Sequence, residues 1–311
     1  MQAAARIRLI EELRRRARRC EYRVNIATLQ RLIQRLENAS AQRLPSVVAE
    51  TLVARRALLA GCMVEAETPT PTGRTCDFRL TRGRERLYVH VKRLDAAPFQ
   101  PPPIPSALRR AIVCTRPLRV RVRWQAQLEN GGLRRLGYAF DAFLREAEVG
   151  ESLSVRDASQ HEFGYLRIDR PTEQLDMRVD RPDRIAVLDR IDRLLDRAAQ
   201  QCMPSHANAI MVVGSSECDA ELLDEALLGS FVARWDHEPR RGERLAYGRD
   251  DSGLWSRGTA RDAGIACWTT MRELQEKPML SAGDLWLRSE PAARPESAAL
   301  ARASLLRARA G

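Results

Sequence analysis

The stretch TCDFRLTRGRERLYVHVKR, residues 75–93, constrains the fold more than any other. Cys76, Phe78 and Leu80 alternate with Thr75, Asp77 and Arg79. The pattern breaks at Arg82, Gly83, Arg84 and Glu85, and then Leu87, Val89 and Val91 alternate with Tyr88, His90 and Lys92. Period-two patterning on both sides of a glycine-bearing turn predicts a β-hairpin. A turn centred between Gly83 and Arg84 makes paired positions sum to 167, which sets Asp77 opposite His90 with Lys92 on the adjacent diagonal. Opposite Cβ atoms in such a ladder lie about 5 Å apart and diagonal ones about 7–8 Å. An acid, an imidazole and an amine are thus expected on one face, with Val, Phe and Leu filling the other.

The amine is unusual in this chain. Of 52 basic residues only Lys92 and Lys277 are lysine. Arginine is planar and effectively always charged, whereas a lysine amine is a compact donor with a tunable pKa. A lysine on the polar face of the best hairpin therefore suggests that an amine is needed there. The formal net charge of +11 over 311 residues favours a polyanionic partner, nucleic acid first, although a bias toward arginine codons accounts for part of it.

The length suits one large domain or two modest ones, and 44% hydrophobic content supports a real core. No apolar run approaches the roughly 20 residues that cross a bilayer, so no membrane segment is expected. The Arg-rich start lacks the apolar stretch of a secretory signal. Seven cysteines, with no CxxC, suggest neither a zinc site nor a disulfide framework and fit a reducing cytoplasm.

Along the chain, residues 1–44 read as a basic helical arm with Ile7, Ile10 and Leu13 on one stripe and Leu29, Leu32 and Leu36 on a second. Two readings stand: a partner-binding arm, or solvated helices packed on the domain by those stripes. Residues 45–60 form a clearer helix, with Pro45 in its first turn, Gly61 past its end and Glu50 beside its apolar face. A strand over 62–67 follows, with Glu65 and Glu67 on one side. After the hairpin comes a Pro-rich connection from residue 94, then LRVRVRW at 118–124. Arg119, Arg121 and Arg123 there either track a phosphate backbone or guard an edge strand. Helical spacing over 182–202 predicts a long helix, and AIMVV at 209–213 a strand buried on both faces. A helix at 220–228 and strands near 245–247, 254–256, 265–269 and 284–287 follow. Residues 291–311 read as a flexible tail. Trp235, Trp255 and Trp268 are candidates either for base stacking or for the core.

The order helix, strand, strand, strand, then helix and strand after an insertion, with DFRL on one strand and YVHVKRL on the next, resembles the restriction-endonuclease-like PD-(D/E)XK phosphodiesterases. The resemblance covers residues 45–93 and 182–214. It implies an α/β fold with a mixed sheet; around that core the chain's own pattern, with a helix near 133–148 and a hairpin across 153–168, reads as an α+β insertion over 94–181 and an α+β extension over 215–290. The resemblance further implies a metal-dependent nuclease acting on DNA. Asp77 would be the central ligand of Mg2+ or Mn2+, the Val91 carbonyl a second, and Glu50 a further one. Lys92 would position water or stabilise developing charge, and Gln200 or Gln201 would match the glutamine that often ends the later helix.

His90 stands where the family has an acid or Gln. Imidazole is a poor Mg2+ ligand and a better one for Mn2+. Three outcomes follow: a carboxylate supplied instead by Glu65 or Glu67, His90 itself as ligand or base, or a degenerate nuclease that binds nucleic acid without cleaving it. A non-enzymatic scaffold or regulatory protein is the reading from a different class. A homodimer is left open.

Overall fold

The computed structural model describes residues 2–71, 73–157, 159–234, 246–258, 260–273, 278–288 and 295–306. Three helices lead: α1 (Gln2–Arg19), α2 (Arg23–Asn38) and α3 (Leu44–Leu59). Strands β1 (Met63–Pro69), β2 (Thr75–Arg82) and β3 (Glu85–Arg93) follow, then α4 (Ser106–Ala111), β4 (Leu118–Trp124) and α5 (Asn130–Glu146). Next come β5 (Ser152–Arg156), β6 (Glu162–Pro171), β7 (Asp176–Val179), α6 (Arg184–Ala199) and β8 (Asn208–Gly214). The chain closes with α7 (Ala220–Leu228), β9 (Phe231–Arg234), β10 (Ala246–Arg249), β11 (Ile265–Glu273), β12 (Pro278–Leu287) and α8 (Pro295–Ala301). The fold is α/β, and it divides into two compact units. One comprises residues 1–98, 188–224 and 257–311; the other comprises 99–187 and 225–256.

The first unit is built on a six-stranded sheet in the order β1-β2-β3-β8-β11-β12. Strand β8 runs parallel to both β3 and β11, and the remaining pairs are antiparallel, so the sheet is mixed. Every residue of β8 is buried, as its unbroken apolar run requires. The hairpin adopts the expected register, from Arg82 opposite Glu85 to Phe78 opposite Val89.

Helix α3 is apolar around most of its circumference, and such a helix must be covered on several sides. Val47, Leu52, Val53 and Ala57 join Phe78, Leu80, Val89 and Val91 in one core with Leu9, Leu13, Leu29, Leu32 and Leu36 of α1 and α2. The helix closes in a Schellman motif: the Gly61 amide donates to Leu58 O and the Cys62 amide to Ala57 O, each at 3.1 Å. Gly61 takes the left-handed φ of 82° that this motif demands and that glycine adopts without strain.

Of the two readings of the leading helices, packing on the domain is the one the structure shows, since their leucine stripes lie inside the main core. Three expectations change. β11 and β12 are not an extension beside the core but two further strands of the same sheet. Leu254–Ser256 is turn rather than strand, with the Leu254 and Trp255 amides bonded to the carbonyls of Ala226 and Leu227. Of the region read as a flexible tail, residues 295–306 form α8 and a short π-helical turn, and they bury Leu300, Ala301, Leu305 and Leu306 in the core. Arg56 of α3 fastens this segment. Its guanidinium donates to Leu305 O at 2.8 Å, Leu280 O at 2.7 Å and Ser281 O at 2.9 Å. Burial lowers its pKa to about 10, with Arg55 adding to the effect, so the charge is retained at neutral pH.

The second unit has a four-stranded sheet, β5-β6-β4-β7, and a separate β9–β10 pair. Leu118, Val120 and Val122 of β4 pack with Leu133, Leu136, Phe140 and Leu144 of α5. Strand β7 is only four residues long, too short for the alternation of Asp176 and Arg178 with Met177 and Val179 to stand out from the surrounding turns. Its presence makes β4 an interior strand rather than an edge.

Stranding the buried Leu305 and Leu280 carbonyls should be costly, since each unsatisfied group loses about 1–3 kcal/mol; the Ser281 carbonyl keeps the Thr269 hydroxyl, at 2.9 Å. Arg56→Met is expected to lower the unfolding free energy by about 2 kcal/mol or more in urea denaturation. Ending the chain at residue 294 should destabilise to at least a similar degree. A flexible tail would leave the midpoint unchanged.

Candidate functional site

The site forms where β2 parts from β3. The ladder runs as far as Phe78 opposite Val89, and at the next step a side chain replaces the backbone: the Val91 amide donates to Asp77 Oδ2 at 2.7 Å. Burial raises the Asp77 carboxyl, against the pull of the nearby Lys92 charge. The Val91 amide and Arg35 also lower it, while Glu67 raises it further. Lys92 Nζ donates to Gln201 Oε1 at 2.6 Å, just past the C-terminus of α6.

Glu50 reaches the same place from α3. It is raised to about 7, first by burial and then by repulsion from Asp77; Arg35 and Lys92 work in the opposite direction. Arg35, from α2, sits 2.6 Å from Glu50 Oε2 and 3.8 Å from Glu67 Oε1. The cluster is therefore Asp77, Glu50 and Glu67 held against Lys92 and Arg35, with Gln201 steadying the lysine. Glu67 turns toward it from a left-handed kink in β1, at φ 56°.

The other sequence candidates go elsewhere. Glu65 pairs with Arg79 directly across the β1–β2 ladder. Gln200 Oε1 accepts from Arg74 at 2.9 Å, which leaves Gln201 as the residue on Lys92. His90 is wholly buried. The Asn208 amide nitrogen donates to the carbonyls of Met203, His206 and Asp262, so Asn208 Oδ1 is an acceptor. His90 Nε2, 3.4 Å from that oxygen, must carry the proton, and its Nδ1 has no partner. Burial lowers the imidazole to about 4 and Lys92 adds to the effect, although the Asn208 hydrogen bond opposes both. His90 is a neutral strut between β3 and the start of β8, not a member of the carboxylate cluster. Cys76 packs with Tyr88 and Met203, and burial raises its thiol to about 12, too high for a thiolate nucleophile.

In the second unit the arginines of β4 are cancelled one by one. Arg119 meets Asp176 at 2.8 Å, Arg121 meets Asp169, and Arg123 meets Glu162 at 2.5 Å and lies over the Tyr165 ring. A row so neutralised is a poor track for phosphates. Trp255 and Trp268 are buried, and Trp235 and Lys277 lie outside the described residues.

Sequence reasoning missed Arg35 and Asn208. Arg35 is one arginine among many on a basic helix, and its role appears only when α2 packs beside α3. A lone Asn opening an apolar strand, at the head of NAIMVV, was the available signal for Asn208.

A metal would find hard oxygen donors here, Asp77 and Glu50 carboxylates beside the Val91 residue, and a cation would relieve the repulsion that raises Glu50. Among the described residues, however, no three His, Cys, Asp or Glu side chains are gathered closely enough to form a ligand cluster. Arg35 supplies the positive charge instead. None of the described helices is long and apolar enough to cross a membrane. No family model matches the chain, and no curated protein or solved structure matches it.

Because the folded state holds the Glu50 proton more tightly than the unfolded chain, this group's contribution is complete below about pH 4.5 and is lost as pH rises through about 7. In chelator, Glu50→Gln should be more stable than the wild type by about 2–3 kcal/mol at pH 8, since one pKa unit is worth 1.36 kcal/mol. The gain should vanish near pH 4.5. A pH-independent difference would show that Glu50 is not held protonated by its surroundings.

Proposed function

We propose that the protein is a metal-dependent phosphodiester hydrolase acting on DNA, with a core of the restriction-endonuclease type. One observation carries the reading: an acid from β2, an amine two residues beyond His90 on β3, and an acid from the preceding helix converge where the two strands part. The element order of α3, β1, β2, β3, α6 and β8, with β8 parallel to β3, supports it, as does Gln201 on Lys92. The net charge of +11 suits a polyanionic substrate.

Asp77 and Glu50, with the Val91 carbonyl, would hold Mg2+ or Mn2+. Such an ion lowers the pKa of bound water and stabilises charge on the phosphoryl oxygens. Lys92, oriented by Gln201, presents its ammonium to the attacking water or to a non-bridging phosphoryl oxygen. Arg35 pairs with Glu50 at 2.6 Å and would release it to an ion held there. Glu67 remains as its alternative partner, at 3.8 Å.

A second reading is a nucleic-acid-binding protein on the same core that does not cleave. It is favoured by the position of His90: where the family carries its second acid, this chain has a buried imidazole bonded to Asn208.

Plasmid DNA incubated with the protein and Mg2+ or Mn2+ separates the two readings. Cleavage is expected, and Asp77→Asn and Lys92→Ala are each expected to reduce it at least about a hundredfold, the scale of losing a positioned catalytic group. His90→Gln should leave the rate within a few-fold once the variant is folded. Cleavage that persists in Asp77→Asn removes this site. DNA binding without cleavage, in either metal, leaves the second reading.

A further inference from the structure

The second unit contains a groove of about 640 Å³ that the phosphodiesterase reading does not use. Four guanidinium groups line it: Arg109 from α4, Arg119 from β4, Arg170 from the end of β6 and Arg178 from β7. Two acids, Glu173 and Asp176, share the lining, and Phe231 adds an aromatic surface. Asp176 is already engaged twice, by Arg119 at 2.8 Å and by Arg178 at 2.9 Å. Burial pushes its carboxyl up, but the hydrogen bonds and charges of those two arginines outweigh this and hold it below the usual range. One carboxylate thus aligns two arginines along a wall while cancelling the charge of one.

Arg109 and Arg170 are in a different position. Neither guanidinium has an ion pair or hydrogen bond with any described residue. Along β4 each arginine meets an acid; Arg109 and Arg170 are the unmatched ones that line the groove. Two unmatched cations facing a groove that already holds two more repel one another, and an anion entering the groove would remove that cost. Guanidinium forks suit the oxygen geometry of phosphate in particular. The volume falls in the range of small-ligand sites and exceeds what an isolated phosphate needs.

We infer that this groove binds a nucleotide, free or as one residue of a strand, with Arg109 and Arg170 as the principal phosphate-binding groups. Arg119 and Arg178 form the supporting wall; the Arg249 guanidinium covers one face of the Phe231 ring at 4.0 Å, so Phe231 contributes only its remaining surface to the groove. The inference does not rest on the carboxylate site of the first unit.

The test uses the full chain in chelator, so that hydrolysis cannot intervene. Adenosine 5′-monophosphate, adenosine and a short fluorescein-labelled single-stranded oligodeoxynucleotide are titrated by calorimetry or fluorescence anisotropy. The phosphate-bearing probes are expected to bind and adenosine to bind at least tenfold more weakly. Binding of the mononucleotide identifies a free nucleotide as sufficient; binding of the oligonucleotide alone identifies a strand. The double variant Arg109→Glu with Arg170→Glu should weaken binding by about a hundredfold, roughly tenfold for each charge-assisted hydrogen-bonding arginine removed. Arg109→Gln with Arg170→Gln, which removes the same two arginines without introducing new charge, should show a loss of about the same size and guards against misfolding of the first variant. Mononucleotide binding by a wild-type chain that fails to cleave DNA leaves this inference standing, and DNA cleavage without mononucleotide or oligonucleotide binding in chelator does not rescue it. Wild-type affinity in both double variants, equal affinity for adenosine, or no binding of either phosphate-bearing probe would overturn it.

Discussion

A carboxylate standing in for a strand organises the first unit. Val91 is buried, and its amide faces β2, which has already parted from β3. Left alone, that amide would cost about 1–3 kcal/mol as an unsatisfied buried donor. Asp77 satisfies it at 2.7 Å and is drawn into the protein in doing so. Everything chemical about the site follows from this substitution. A carboxylate committed to that amide cannot swing to solvent, so it must be balanced by charge from its neighbours.

The balance comes from two directions. Lys92 approaches along β3 and Arg35 from α2, while Glu50 on α3, raised to about 7 by its burial and by Asp77, works against it. Two carboxylates that repel each other sit beside an arginine that has a second acid within 3.8 Å, the arrangement on which the proposed cation site rests. The second unit handles charge differently along β4, where each arginine meets an acid, and departs from that habit in the groove, where Arg109 and Arg170 meet none among the described residues.

Much of this was legible in the chain. The hairpin register followed from alternation and a single glycine, because a shift of one residue would turn Phe78, Leu80, Leu87 and Val89 out of the core. The helix limits at Pro45 and Gly61 followed from backbone chemistry that depends on those residue types alone. What was not legible depends on packing between distant segments. Arg56 fastens the end of the chain from more than two hundred residues away, and nothing in ALARASLL distinguishes a docked helix from a frayed one. The face shared by Asp77, His90 and Lys92 was only partly right. Alternation does place His90 and Lys92 on the same side of β3, but the Asn208 side chain claims the imidazole, and no local pattern announces that partner. The β4 arginines were ambiguous for the same reason: their acids lie on β6 and β7, and β7 is too short to be read.

The proposal that Asp77 and Glu50 would together hold a divalent cation is tested most directly by anomalous scattering from crystals soaked in Mn2+. A peak beside the Asp77 and Glu50 carboxylates is predicted, with the Arg35 guanidinium moved off Glu50. A peak at another location, or none while Arg35 stays on Glu50, would contradict it.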